Sequence, residues 1–461
     1  CAIFEKVIFM KRFLLILVVA FSFLAKIIAK ENSSLLGEVG TNLSYSFIVP
    51  PIPGRADETE VNLIVTSASY FKFTINFNGK KISDTINGYQ SKKIALPYKD
   101  LVLFENQEFA PQKSGLYQSK AIKIYGTYSA ISSIQLEIKN KEHYGIYDVI
   151  ENLFQGKEYV VSSFADKSNN QNKFAPSFTA ISGLYDNTRI TFELKGNENT
   201  SIEIDGKKYL YGEKIKYTLN EGDVLYLASI GENADLSGSY VSANKPISVV
   251  SGNYCTKIDA NNCDFMIESE VPKNFWGDTY LIPTNPKINE PYILRVFAKD
   301  YNTNVYLNGE KVGEINNNFL EINMTEDEKK ANIISTDSGY KINVMKYGTS
   351  YQMQIMPLQN AISRAVFKLP ESINAENFEH YVNVIYRQNP NHNADSLEIG
   401  EMINGQLLWS NLNDYDVAFP GLPFNKINAS DTNTYYIKTF KIHSDNLTII
   451  RSKRKNELFQ V

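Results

Sequence analysis

The sequence predicts an all-β protein built from tandem antiparallel β-sandwich-like modules with an internal repeat. Three observations predict it. Tyrosine (29) and phenylalanine (26) far outnumber tryptophan (2) in a chain of 461 residues, and aromatic and β-branched residues interleaved with turn formers favour many short strands. Period-two alternation is clear at Ile190/Phe192/Leu194, Ile215/Tyr217/Leu219, Tyr292/Leu294/Val296 and Val382/Val384/Tyr386, which puts one face of each strand in a core and the other in water. Finally, a two-residue turn recurs: FTINFNGKKI at 73–82, TSIEIDGKKY at 200–209, TNVYLNGEKV at 303–312 and, more loosely, EMINGQLL at 401–408. Asn-Gly and Asp-Gly supply the two positive φ angles of a type I′ hairpin turn. The turn glycines Gly79, Gly206, Gly309 and Gly405 lie 127, 103 and 96 residues apart, a spacing that suits a repeated β module rather than a short solenoid unit.

Taken in order, residues 1–29 read as an upstream extension followed by a secretory signal peptide. Met10-Lys11-Arg12 gives the positive start, 13–24 the apolar run, and Ile27 and Ala29 the minus-three and minus-one positions of a cleavage site. That run is shorter than the roughly 20 apolar residues a membrane span needs, and Lys26 and Lys30 interrupt its continuation. No later segment is long and apolar enough either, so no stable membrane span is expected. An N-terminal β module occupies 30–155. A second, over 156–275, opens on GKEYVVSSF and carries a cysteine loop. A third covers 276–370 and a C-terminal one 371–461. The polar stretches 167–173 and 389–396 read as exposed loops.

Charge narrows the function. The formal net charge is −4, and residues 1–29 hold four basic residues against one acidic, so the remainder stands at −7. An acidic protein is a poor nucleic-acid binder, because neutralising phosphates needs clustered Lys and Arg. The one basic cluster, Arg451-Ser452-Lys453-Arg454-Lys455, reads as a solvated tail. Beyond Cys1 the cysteines are Cys255 and Cys263, spaced C-x7-C. In an oxidising compartment these pair and close a small loop, worth roughly 2.5 kcal/mol on the chain-entropy model. A metal site would need more ligands than this spacing offers. Glycosylation sequons stand at Asn32, Asn42, Asn199, Asn323, Asn428 and Asn446.

The stretch 245–283, KPISVVSGNYCTKIDANNCDFMIESEVPKNFWGDTYLIP, is the most informative in the chain. A strand leads into a short cysteine loop, then come acidic Asp264, Val271-Pro272 and Trp276-Gly277. This order resembles the signature of the IgGFc-binding protein N-terminal domain family. The resemblance runs over roughly 140–390, through GKEYVVSSF at 156–164, SFTAISGLYDNTRITFEL at 177–194 and PYILRVFAKDYNTNVYLNG at 291–309. It implies a secreted, mucus- or matrix-associated binding protein. Cysteine-rich repeats that large members carry have no counterpart here, and no residue matches an Fc contact. Set against the repeat, the cysteine loop reads as an insertion between the second and third modules that fixes their geometry.

Chemistry is otherwise sparse. His143, His380, His392 and His443 show no metal-ligand spacing and no nucleophile elbow. The run 259–264 departs from a calcium loop where Cys263 and Asp264 stand. Trp276 reads as packing beside the disulfide, with a solvent-facing binding aromatic as the alternative, and Trp409 carries the same two readings. The expectation is a secreted, non-catalytic binding or adhesion protein with no cofactor and no metal, taking an extracellular protein or glycan as partner. A secreted carbohydrate or peptide hydrolase on a β-sandwich, and a purely structural coat component, are the alternatives.

Overall fold

The computed structural model describes residues 42–104, 113–127, 132–165, 175–256, 258, 264–283, 291–298, 300, 302–316, 319–325, 331–337, 339–348, 351–368, 380–387, 397–403, 405–412, 414–415, 425–430, 433–442, 447–453 and 458–460. The chain divides into two compact units, 1–43 and 44–461. Only Asn42 and Leu43 of the first unit are described. The described elements of the second are almost all strands, paired antiparallel.

Two four-stranded sheets share residues 42–148. In one, Asn42–Phe47, Ile122–Thr127, Phe71–Phe77 and Lys80–Ile86 lie side by side; in the other, Gln90–Leu96, Glu60–Ser67, Ser132–Lys139 and Tyr144–Asp148 do. Counted along the chain, the first, sixth, third and fourth strands make one sheet and the fifth, second, seventh and eighth the other. The same order recurs between residues 279 and 355. There Thr279–Ile282, Asn332–Thr336, Thr303–Leu307 and Glu310–Ile315 face Phe319–Thr325, Pro291–Ala298, Ile342–Tyr347 and Gln352–Ile355. Tyr280, Ile282, Val305 and Ile334 from one sheet and Tyr292, Leu294, Val296 and Val344 from the other fill a single core. Residues 364–460 repeat the order again. Arg364–Phe367, Thr448–Ser452, Leu397–Ile403 and Gln406–Asn411 oppose Asn433–Ile442, His380–Arg387 and Phe459–Gln460, with Asn425–Ser430 added outside Asn433–Ile442.

The second sandwich keeps this plan with a fused strand and an inserted hairpin. Its sixth and seventh strands are fused into Tyr240–Thr256, 17 residues long. The first half pairs with Gly156–Val160 and Thr188–Glu193, and the second half with Ser177–Gly183 and Asp264–Ser269. One strand therefore belongs to both sheets. Lys214–Leu219 and Val224–Ala228 lie at the outer positions, and Gly115–Tyr117, from a connection within the first sandwich, pairs onto Val224–Ala228.

The recurring turns form as their residues require. Asn78 and Gly79 have φ of 44° and 71°, Asp205 and Gly206 52° and 73°, Asn308 and Gly309 53° and 89°, and Gly405 78°; Asn404 lies outside the described residues. These are the left-handed angles of a type I′ turn. Three of the turns join the third strand of a sandwich to the fourth. Asp205-Gly206 does not: it closes a separate hairpin, Ser201–Ile204 with Lys207–Leu210, inserted between the third and fourth strands of the second sandwich. Turn chemistry sets local backbone only, and Ile202 and Ile204 pull this hairpin onto the core. A second repeated device opens the third strand. Asn187 and Asn302 take φ of 55° and 59°, and Thr188 and Thr303 donate their hydroxyls to the carbonyls of Tyr185 (2.6 Å) and Asp300 (2.7 Å).

Successive sandwiches are joined by single 3-10 turns at Asn152–Phe154, Lys273–Phe275 and Leu358–Asn360. Each of the first two is followed by Gly-x-x-Tyr. The Tyr159 hydroxyl accepts the Gly156 N–H at 2.7 Å and donates to the Ile247 carbonyl at 2.7 Å. Likewise Tyr280 accepts from Gly277 at 3.1 Å and donates to Ile342. A Cβ on Gly156 would collide with Pro272, and one on Gly277 with Pro357. Contact also closes between the ends, where Ala68 and Tyr89 of the first sandwich pack with Val366, Leu447, Ile449 and Trp409 of the fourth. Tyr159→Phe and Tyr280→Phe each strand two buried backbone groups, so each should lower stability by about 1–3 kcal/mol in denaturant titrations; a change near zero would show the brace to be idle.

Candidate functional site at the cysteine hairpin and its joint

The 245–283 stretch resolves into three pieces. Strand Tyr240–Thr256 turns back into Asp264–Ser269, with Thr256 opposite Asp264. The strands on either side of the cysteine loop therefore pair with each other inside the second sandwich. This corrects the expectation of an insertion between modules: the apolar alternation of Phe265 and Ile267 continues the sheet beyond the turn. Cys255 is half-buried at the strand end and disulfide-bonded, while Cys263 lies outside the described residues. Both neighbouring sandwiches still meet this hairpin, through its strands. Gly145 of the first packs against Phe265 and Ile267, and Ser269 donates to the Asp148 carbonyl at 2.6 Å. From the third, Gln352 donates to the Ser251 carbonyl at 3.2 Å.

Trp276 is buried, and its Nε1 donates to the Val271 carbonyl at 3.0 Å. It packs with Val160, Phe164 and Met266 of the second sandwich and Ile293, Phe297 and Tyr347 of the third. This tryptophan fills an interface between sandwiches. Beside it Glu270, 1% exposed, accepts the Ser162 N–H (2.6 Å) and the hydroxyls of Ser162 (2.9 Å) and Ser251. Burial pushes its carboxyl up to about 7, against the pull of the Ser251 and Ser162 hydrogen bonds.

The centre of the joint is Arg295, 3% exposed in strand Pro291–Ala298. It reaches across to the second sandwich, donating from Nη1 to Asp235 Oδ2 (2.8 Å), Ser237 Oγ (2.8 Å) and the Ser163 carbonyl (3.0 Å). Its Nε meets Glu321 Oε2 at 3.1 Å. The guanidinium lies over the rings of Phe164 (4.0 Å) and Phe319 (4.5 Å), a cation–π clamp that water does not reach. Burial opposes the charge, yet the Asp235 carboxylate foremost holds Arg295 above the ordinary arginine value. Sequence reasoning passed over Arg295 and Glu270. The signal for Arg295 was a lone ionisable residue in an otherwise apolar strand, and period-two alternation assigns such a residue to the wet face; Glu270, just past the acidic strand Asp264–Ser269, carried no such signal.

The remaining candidates scatter. Trp409 is half-buried against the first sandwich, under Arg451 at 3.6 Å. Arg451 also pairs with Glu398 at 2.8 Å, and Lys453 does so at 3.0 Å. These two residues of the basic cluster are thus tied into the fourth sandwich rather than forming a solvated tail, because Glu398 on the adjacent strand faces them. Asn199 and Asn323 are exposed. Asn42 and Asn428 lie in strands whose side chains at those positions are outside the description, and Asn32 and Asn446 lie outside it altogether. Among the described residues, no three His, Cys, Asp or Glu side chains are arranged to hold a metal ion, and no helix is long and apolar enough to cross a membrane. Ser162 with Glu270 resembles a nucleophile with its base in composition only. Both are sealed in the joint, where no substrate atom can approach.

The joint yields two expected outcomes. Arg295→Met leaves the Asp235 carboxylate buried and uncompensated, so stability should fall by about 3–5 kcal/mol in denaturant titrations, with part regained on adding Asp235→Asn. Glu270 is protonated more readily folded than unfolded, so its contribution is fully present below pH 4.5 and falls as pH rises through about 7. Thermal melts from pH 4.5 to pH 8 should show the wild type losing stability more steeply than Glu270→Gln. Parallel curves would remove Glu270 from the account.

Comparison with known proteins agrees with the block that organises this joint. The family model described as IgGFc binding protein matches residues 151–445. A human protein, "IgGFc-binding protein", is 35% identical over 95 residues, 21% of this chain. The chain spans 2% of the length of that relative. Among solved structures, a "Ca2+-stabilized adhesin" that "helps an Antarctic bacterium reach out and bind ice" aligns over 87% of this chain and 99% of its own at 10% identity and a TM-score of 0.12. A "1.5-MDa bacterial ice-binding adhesin" aligns over 64% of this chain and 92% of its own at 11% identity and 0.11. Scores this low describe no shared fold. The family match covers more than half of the sequence, and the chain belongs to the IgGFc-binding protein family.

Proposed function

We propose that this is a secreted extracellular protein that binds a protein or glycan partner without catalysis, in a matrix, mucus or surface coat. The observation that carries the reading is the hairpin inserted in the second sandwich, within the family match. Ile202 and Ile204 anchor its inner side in the core, while Leu210 and Tyr211 beyond it are 54% and 44% exposed. Lys207 lies over the Tyr209 ring at 4.1 Å, and Tyr217 donates to Asp205. A rigidly held aromatic and aliphatic pair ringed by charges is the composition of a binding hot spot rather than of a solvated turn. Four units over 30–155, 156–275, 276–370 and 371–461, a Cys255–Cys263 bridge across the hairpin turn, and a glycan at the exposed sequon of Asn199 complete the proposal. Each suits an oxidising, extracellular setting.

Because the relative's name states immunoglobulin Fc, Fc is the first partner to test, beside affinity capture from native extracellular material. Paired Leu210→Ala and Tyr211→Ala changes, both at exposed positions, should weaken the captured partner about tenfold or more. Recovering nothing beyond the chain itself, or undiminished capture by the double variant, would overturn the reading.

A further inference from the structure

We infer that strand Phe319–Thr325 is a strand-pairing interface whose occupant is the same strand of a second copy of this chain. The strand is the fifth of the third sandwich and forms the outer edge of its sheet. Its register with Pro291–Ala298 runs unbroken from Thr325 opposite Pro291 to Phe319 opposite Phe297. The seven-residue outer edge therefore presents a regular ladder of backbone groups with no bulge to blunt it.

The other sandwiches show what belongs on this edge. In the second, the fifth strand, Val224–Ala228, is covered by an antiparallel strand, Gly115–Tyr117, supplied by the first sandwich. In the fourth, Asn433–Ile442 is covered by antiparallel Asn425–Ser430. The first sandwich leaves its fifth strand, Gln90–Leu96, at a sheet edge, but that strand carries Lys92 and Lys93. Lysines on an open edge disfavour pairing with another chain. Phe319–Thr325, sequence FLEINMT, has no lysine, arginine or proline. Among the described strands, it is the open fifth-strand edge that lacks both a covering strand and a protective lysine.

Composition selects the occupant. An antiparallel pair about a two-fold axis through Ile322 sets Leu320 opposite Met324 and Glu321 opposite Asn323. Apolar residues then meet on the core side, and no like charges oppose each other. Leu320, Ile322 and Met324 are already seated on the sandwich core, and Glu321 is held by Arg295, so the edge is rigid before pairing. Two copies would build one continuous eight-stranded sheet. Asn323 is exposed and heads the sequon Asn323-Met324-Thr325, so a glycan there would occupy the space needed by Glu321 of the other copy.

Register gives the test. Asn323→Glu places a carboxylate opposite Glu321 of the second copy twice over, while Asn323→Lys places an ammonium there, and both remove the sequon. Sedimentation velocity of the deglycosylated chain, over a concentration series reaching tens of micromolar, should show a reversible dimer. Asn323→Glu should weaken it about tenfold, for two like-charge cross-strand pairs of up to roughly 1 kcal/mol each, and Asn323→Lys should leave it intact or tighter. Matching melting curves would show that both variants fold. A wild type that stays monomeric throughout, or two variants that shift association equally, overturns the proposal; capture of an unrelated extended peptide on this edge by a monomeric chain does so as well.

Discussion

A single buried guanidinium constrains how this chain can be arranged. Arg295 rises from a strand of the third sandwich, but three of its hydrogen-bond acceptors, on Asp235, Ser237 and Ser163, belong to the second. A charge in that setting is tolerable only while every partner is in place. The two sandwiches must therefore hold one mutual geometry, and the aromatic rings of Phe164 and Phe319 against the guanidinium exclude the water that would allow others. Tyr347 adds to the lock by donating to the Ser162 carbonyl at 2.5 Å. The fused strand Tyr240–Thr256 extends it, since its second half carries Ser251, the contact for Gln352 of the third sandwich.

Val271-Pro272 and Trp276-Gly277 have structural roles in the joint. They set the 3-10 turn, fill the interface and let the backbone pass close to Pro357. A stretch that reads as a functional signature can be a structural hinge point made rigid, leaving recognition to surfaces elsewhere.

The hairpin turns were legible because Asn-Gly and Asp-Gly have few other conformations to choose from. So was the paired Asn-Thr device before the third strands of the second and third sandwiches. What the turns join was not legible: Asp205-Gly206 has the same local chemistry as Asn308-Gly309 but closes an inserted hairpin, and the difference lies in long-range pairing, Thr303–Leu307 joining Asn332–Thr336 while Ser201–Ile204 and Lys207–Leu210 form a separate two-stranded sheet. The cysteine loop misled for a similar reason, since nothing local says whether a disulfide loop separates two modules or caps a hairpin within one. Arg295 was invisible because alternation treats an ionisable residue as wet, and its partners in the second sandwich lie 58 to 132 residues away.

The central claim is that the second and third sandwiches form one mechanical body. Native-state hydrogen exchange under rising denaturant tests it most directly, by comparing amides of Tyr240–Thr256 with those of Pro291–Ala298. The account predicts that both strands open in one sub-global step with a common free energy. Opening of Pro291–Ala298 at a clearly lower free energy, with Tyr240–Thr256 still protected, would contradict it.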